Sequence, residues 1–184
     1  MAMATAREMS VEELLALPED GLRHELLDGE YVVSPTPRLL HQRAVQCLYR
    51  RLLTIVGDRD DVELFGVPGD LQLNARTVVE PDVFILPSNP ASRLQNWADA
   101  PIPLLVAEVL SRSTASRDRG KKRRIYLKSG VEEYWIVDLD ARAVERWRQD
   151  DSRPEIVDET LYFSLQVGVS GSIALPEFFA EVLR

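Results

Sequence analysis

Two acidic residues stand where short apolar strands leave little room for charge. Asp82 lies in Val78-Val79-Glu80-Pro81-Asp82-Val83-Phe84-Ile85-Leu86, and Glu108 in Leu104-Leu105-Val106-Ala107-Glu108-Val109-Leu110. Runs of this length, rich in Val, Ile, Leu and Phe, read as buried strands. An ionised carboxylate inside one is strongly unfavourable unless a cation, a metal or several donors meet it. A basic stretch follows the second run directly. Residues 112–128 hold eight Arg or Lys against one Asp, a net +7 in a chain whose total is −8, so the remainder carries −15. Charge alone favours a solvated helix face over a phosphate-binding strip, and the acidic total argues against a nonspecific nucleic-acid coat.

The punctuation of the chain sets out the elements. Ser10 and Glu13 form a capping box for a short helix that Pro18 ends. Asp28-Gly29 between two apolar runs predicts a hairpin, and Ser34-Pro35-Thr36-Pro37 breaks the chain after it. Ala44, Val45, Leu48, Leu52 and Val56 share one face of a helix over 38–56, which Gly57 stops. Two short strands are expected within 62–74 around Pro68-Gly69, then a strand over 78–86, a Pro-rich loop over 87–102 and a strand over 104–110. A helix over 115–129 follows, capped by Gly130, then a hairpin over 133–147, a strand near 161–166 and a helix from Pro176. This order predicts an α/β (mixed α+β) fold, a central mixed sheet flanked by helices with an N-terminal hairpin. The 184 residues are expected to form one domain, with residues 1–9 as a flexible tail.

The single cysteine, Cys47, excludes an internal disulfide and a Cys-based zinc cluster, and it falls on an apolar helical face where packing explains it. Residues 1–7 lack the apolar stretch of a signal peptide, and no run of about 18 apolar residues exists to span a membrane. A cytoplasmic protein without membrane contact is the expectation.

Two carboxylates at strand ends beside a basic helix suit metal-dependent phosphodiester cleavage. That reaction needs an activated water, neutralised phosphate charge and a stabilised leaving oxygen. Magnesium takes oxygen ligands and usually only one or two protein carboxylates. Asp82 and Glu108 are the candidate ligands, with the main-chain carbonyl of Val109 as a third. At 100° per residue, Asp118, Lys122, Ile125, Tyr126 and Ser129 share one helix face, and Ile125 and Tyr126 make it the buried one. Lys122 is thereby drawn toward the sheet, either to act on water and phosphate or to neutralise Asp118 or Glu108 structurally. Arg117, Arg119, Arg123 and Arg124 form the candidate phosphate-backbone strip. Glu25, beside the hairpin turn, is a candidate third acid or a plain strand residue. His41 is more readily a satisfied core histidine than a site residue, and Ser111, with Ser113 and Thr114, a turn and helix cap. Mutual repulsion at an empty site predicts that losing either carboxylate leaves stability unchanged or raises it.

At these residues the chain resembles the PD-(D/E)XK nuclease superfamily, most closely its Uma-type restriction-endonuclease-like group. The stretches that carry the likeness are Arg23-His24-Glu25-Leu26-Leu27-Asp28-Gly29-Glu30, Ser34-Pro35 with His41, Glu80-Pro81-Asp82, Glu108-Val109-Leu110-Ser111, Asp118 with Lys122 and Tyr126, and Gly130-Val131-Glu132-Glu133-Tyr134-Trp135-Ile136-Val137-Asp138. Pro81-Asp82 alone is weakly specific; the ordered set, spanning roughly residues 10–180, is strong. The resemblance implies a restriction-endonuclease-like sheet and a divalent ion, Mg2+ with Mn2+ as substitute, held by Asp82 and Glu108. It further implies an endonuclease acting on DNA more than on RNA. Leu110 stands where the superfamily pattern places a lysine, and the resemblance maps that lysine onto Lys122. Cutting two strands calls for two sites, hence a homodimer, although no residue specifies one. The rival readings are a catalytically silent nucleic-acid-binding or assembly module on the same fold, and a hydrolase of another phosphoester.

Overall fold

The computed structural model describes residues 8–18, 20–66, 69–88, 96–111 and 113–184. In chain order its elements are α1 (Val11–Leu15), β1 (Arg23–Leu27), β2 (Glu30–Ser34), α2 (Leu39–Val56), β3 (Val62–Phe65), β4 (Leu71–Asn74), β5 (Thr77–Val79) and β6 (Val83–Pro87). A single 3-10 turn (Trp97–Asp99) precedes β7 (Leu105–Val109). Then come α3 (Ala115–Arg117), α4 (Arg123–Ser129), β8 (Glu133–Asp138), β9 (Ala143–Arg148), β10 (Glu155–Val157), β11 (Thr160–Ser164), β12 (Ser170–Ala174) and α5 (Leu175–Val182). Where one domain is expected, the chain divides into two compact units. No helix among the described residues is long and apolar enough to cross a membrane.

The first unit comprises Met1–Thr36, Pro68–Glu80 and Leu94–Ala100. The capping box forms as expected: the Glu13 amide donates to Ser10 Oγ, and the Ser10 amide to the Glu13 carboxylate. Asp28 and Gly29 adopt φ of 51° and 87°, the paired positive values of a two-residue hairpin turn whose twist matches the strands it joins. The sheet runs β2-β1-β5-β4, antiparallel throughout. Met9, Val11, Leu14, Leu26 and Val78 form its core. The expected tail is therefore shorter than nine residues: Glu8 bridges Glu30, and the Met9 amide donates to the Gly29 carbonyl at 3.1 Å, because Met9 has apolar surface to bury. Residues 1–7 lie outside the described residues.

The second unit comprises Pro37–Val67, Pro81–Arg93 and Pro101–Arg184. Its main sheet runs β10-β9-β8-β7-β6-β3, with β7 and β8 parallel and every other pair antiparallel, the mixed sheet expected. Leu48 and Leu52 of α2 and Phe178 and Phe179 of α5 pack with Leu105, Ala107, Val109 and Trp135 in one cluster. Alternation along β7 therefore turns Val106 and Glu108 to the opposite face.

Two elements differ from the sequence reading in ways that shape the site. The run over 78–86 is two strands: β5 belongs to the first unit's sheet and β6 to the second's, and Glu80-Pro81-Asp82 lies between them. Pro81 has no N–H to continue a ladder, so pairing stops there. Asp82 thus precedes β6 rather than lying inside it. The helix over 115–129 is also discontinuous. Between α3 and α4, residues Asp118–Lys122 wind as a wider π-type turn, and the Arg123 amide reaches the Asp118 carbonyl five residues back. β10 and β12 have no counterpart in the sequence reading, because Ser170-Gly171-Ser172 offers no apolar alternation to mark a strand.

Helices α2 and α5 are clamped by charge as well as by apolar contact. Arg50 and Arg51 both pair with Glu181, and Arg43 donates to the carbonyls of Val182 and Arg184. Hydrogen bonding from Arg51, then from Cys47, with the charges of Arg51 and Arg50, holds the Glu181 carboxyl down to about 2. A carboxyl lowered on folding stabilises the fold fully above its unfolded value, and that contribution is lost as pH falls toward the folded value. Acid unfolding should therefore draw on Glu181 between about pH 4.5 and 2. E181Q should leave the neutral-pH protein folded but flatten the acid limb of its stability-versus-pH curve, measured by urea titrations. An unchanged acid limb would show that the clamp contributes nothing.

Candidate active site

Residues Asp82, Glu108, Asp118 and Lys122 are all buried, each exposing no more than 4% of its surface. All four belong to the second unit. Glu108 projects from β7 onto the face covered by α4. Lys122 Nζ lies 2.8 Å from Glu108 Oε1, and the Tyr126 hydroxyl donates to the same oxygen at 2.9 Å. The helical register predicted this face, since Lys122 and Tyr126 are one turn apart and both are buried. The π-type turn sits directly before it, and the Tyr134 hydroxyl donates to its Asp118 carbonyl at 3.1 Å. Wide turns of this kind recur where a helix must aim a functional side chain. The Tyr126 and Tyr134 rings pack 5.0 Å apart, so one aromatic pair anchors both the turn and the glutamate.

Asp82 is placed by the end of a ladder. The register pairs Val83 with Ala107, so the next step along both strands sets Asp82 opposite Glu108. With pairing stopped at Pro81, the Val109 amide takes the Asp82 carboxylate as acceptor, Oδ2 at 2.8 Å. His41, from the first turn of α2, brings Nε2 to 3.1 Å of the same oxygen. Its Nδ1 is buried without a hydrogen-bond partner among the described residues. His41 is therefore held against the proposed site rather than satisfied within the core.

Asp82 and Glu108 offer carboxylate oxygens, the donor type that a divalent ion such as magnesium prefers. Among the described residues no three His, Cys, Asp or Glu side chains form a complete cage. Magnesium usually takes only one or two protein carboxylates and completes its shell with main-chain oxygen and water.

Glu25 lies in the first unit and is 1% exposed, not a plain exposed strand residue. Its Oε1 accepts from the Glu80 amide at 3.1 Å. Burial, opposed by Arg23 and reinforced by the charges of Asp70 and Glu25, pushes the Glu80 carboxyl up to about 7. Burial also raises Asp70. The chain passes from this acidic group to Asp82 between Glu80 and Pro81.

The basic strip is only partly available. Arg119 pairs with Asp138 and Glu145, and the Arg123 guanidinium lies 4.2 Å from the centre of the Trp147 ring. Both are engaged within the second unit; Arg124 is exposed and Arg117 half-buried. Ser111 serves the turn: its carbonyl accepts from the amides of Thr114 and Ala115, and its hydroxyl lies 3.0 Å from that of Thr114. The sequence reading treated Tyr126 only as a marker of the buried face and missed its contact with Glu108. The spacing Lys122 to Tyr126 was the available signal. It also named the carbonyl of Val109 and overlooked its amide.

The mixed sheet, with its parallel β7–β8 pair and helices packed against it, is a restriction-endonuclease-like fold. The chain belongs to the Uma2 family, described as "Putative restriction endonuclease", whose model matches residues 11–182. It is 26% identical over 166 residues to an uncharacterised protein of Synechocystis, covering 88% of this chain and 92% of that one. The crystal structure of a putative nuclease of the DUF820 group from Anabaena variabilis superposes with a TM-score of 0.78 at 18% identity. That match covers 95% of this chain and 99% of that chain.

The contacts reverse the expectation that removing a carboxylate relieves strain. Glu108 is paired, so E108A takes from the buried Lys122 ammonium its carboxylate contact at 2.8 Å, a loss of up to about 3–5 kcal/mol. E108A/K122A should recover part of it. Urea denaturation without metal checks both, and equal stability of E108A and wild type would show that Lys122 is not held by Glu108.

Proposed function

We propose that this chain is a metal-dependent endonuclease that hydrolyses phosphodiester bonds in DNA, with Mg2+, or Mn2+ in its place, held by Asp82 and Glu108. The observation that carries the reading is the buried Lys122 ammonium at 2.8 Å from Glu108, with Asp82 one residue beyond the Val83–Ala107 pair of the neighbouring strand. Membership in a family described as restriction endonucleases supports it, as does the nuclease description of the Anabaena relative.

A divalent ion bound there supplies Lewis acidity and charge neutralisation. The chain's own residues do the rest. Val109, through its amide, and His41 hold the Asp82 carboxylate in one orientation, and the Val109 carbonyl is the candidate third ligand. Tyr126 holds Glu108. Lys122 keeps a fixed positive charge in a site closed to bulk water, where it orients the attacking water and stabilises charge on the phosphate. Arg124, which is exposed, contacts the nucleic-acid backbone, with Arg117, Arg119 and Arg123 contributing by leaving their internal partners. Cleavage of both strands requires two sites, which a homodimer provides.

Supercoiled plasmid with Mg2+ or Mn2+ is the direct test. D82A and E108A should abolish cleavage. K122A should lower the rate at least about 100-fold while shifting the Mg2+ titration little, and K122R should rescue poorly because a planar fork replaces a compact charge. K121A is the control and should be mild. DNA bound but left intact by the wild type with either ion would identify the silent module instead. Essential Lys121 with dispensable Lys122 would remove Lys122 from the mechanism.

Binding should also weaken steeply with salt. Replacing Arg117 and Arg124 by Ala should reduce the slope of log K against log salt by roughly one per lost phosphate contact, read by fluorescence anisotropy in EDTA. An unchanged slope would place the backbone contacts elsewhere.

A further inference from the structure

The first unit carries a cleft that the catalytic reading does not use. Its volume is about 230 Å³, and Leu15, Asp70, Gln72, Val78, Asn96 and Trp97 line it. Trp97 opens the 3-10 turn and is half-buried. Its ring lies so close to the Gly69 backbone that a Cβ there would meet it at 2.8 Å, so the absence of a side chain at Gly69 is what lets the indole settle. Leu15 and Val78 supply apolar wall. Gln72, Asn96 and Asp70 supply polar edge: two amides, each a donor and an acceptor, and one carboxyl.

We infer that this cleft binds a single unstacked nucleobase of the nucleic-acid substrate, stacked on Trp97 and hydrogen-bonded at its edge by Gln72, Asn96 and Asp70. The volume falls below the roughly 300–1,000 Å³ of pockets that enclose drug-sized ligands, and it suits one flat ring. An indole takes the face of any base, and stacking of this kind is a principal source of single-strand affinity. Amide side chains match the paired donor and acceptor of a base edge, and a carboxylate accepts from an exocyclic amine. A phosphate would meet no cation among these lining residues, so the cleft is built for the base and not the backbone. Asp70 also lies within electrostatic reach of Glu25 and Glu80, which puts the cleft beside the unit's buried acids.

The inference rests on the nucleic-acid reading of the substrate but not on cleavage, and one measurement separates the two. Trp135 and Trp147 are buried, at 0% and 5% exposed, so quenching by a stacked base reports on Trp97. Tryptophan emission is followed in the wild-type chain with EDTA present, as an eight-nucleotide dA strand or an abasic strand of equal length is added. The dA strand should quench and the abasic strand should not. W97F should abolish the quench, and Q72A should weaken dA binding at least about fivefold with abasic binding unchanged; Q72A carries the test if W97F does not fold. Equal quenching by the abasic strand, quenching that survives W97F, or no response to dA would each overturn the inference. A chain that quenches but never cuts overturns only the nuclease reading; one that cuts without quenching overturns only this one.

Discussion

The ammonium of Lys122 and the carboxylate of Glu108 are each 3% exposed and lie 2.8 Å apart, a buried ion pair. Their mutual attraction roughly offsets the desolvation of both, so the pair adds little net stability. Removing one partner is what is expensive. β7, the π-type turn and α4 are thereby bound into one arrangement. Tyr126 adds a second donor to the same oxygen, and Tyr134 holds the turn that aims the lysine. The candidate site is a condition of the fold in this region.

The second carboxylate is secured by a different device. A sheet that ends at a proline leaves one neighbouring amide without a main-chain acceptor, and an unmet buried amide is unfavourable. Asp82 answers the Val109 amide with its side chain, so an interruption in hydrogen bonding becomes the anchor of a candidate metal ligand. His41 braces the same oxygen from α2. The two acids are thus held by different donors of the second unit, Glu108 by Lys122 and Tyr126 and Asp82 by the Val109 amide and His41. Each is oriented by protein donors, which is the preorganisation that charge stabilisation in a closed site requires.

The first unit concentrates acids of another character. Glu25, Glu80 and Asp70 act on one another electrostatically; burial pushes Glu80 up to about 7, and Asp70 is raised as well. Asp70 also lines the Trp97 cleft.

Much of this was legible in the sequence because it rests on local rules. The capping box at Ser10, the Asp28-Gly29 turn, the apolar face of α2 and the buried face shared by Lys122, Ile125 and Tyr126 all follow from spacing and from backbone preferences that act within a few residues. The mixed sheet follows from the order of elements, and the burial of Asp82 and Glu108 follows from their places in apolar runs. Only the tertiary structure decided that 77–87 serves two sheets, since periodicity reads hydrophobicity and not the partner across which a strand pairs. It alone set the Asp118–Lys122 turn, because a π-type insertion is stabilised by a contact from Tyr134 that is remote in sequence. It alone showed that Arg119 and Arg123 already hold partners, and that Glu108 is neutralised by Lys122. Long-range electrostatic pairing depends on distances that a chain acquires only when it folds.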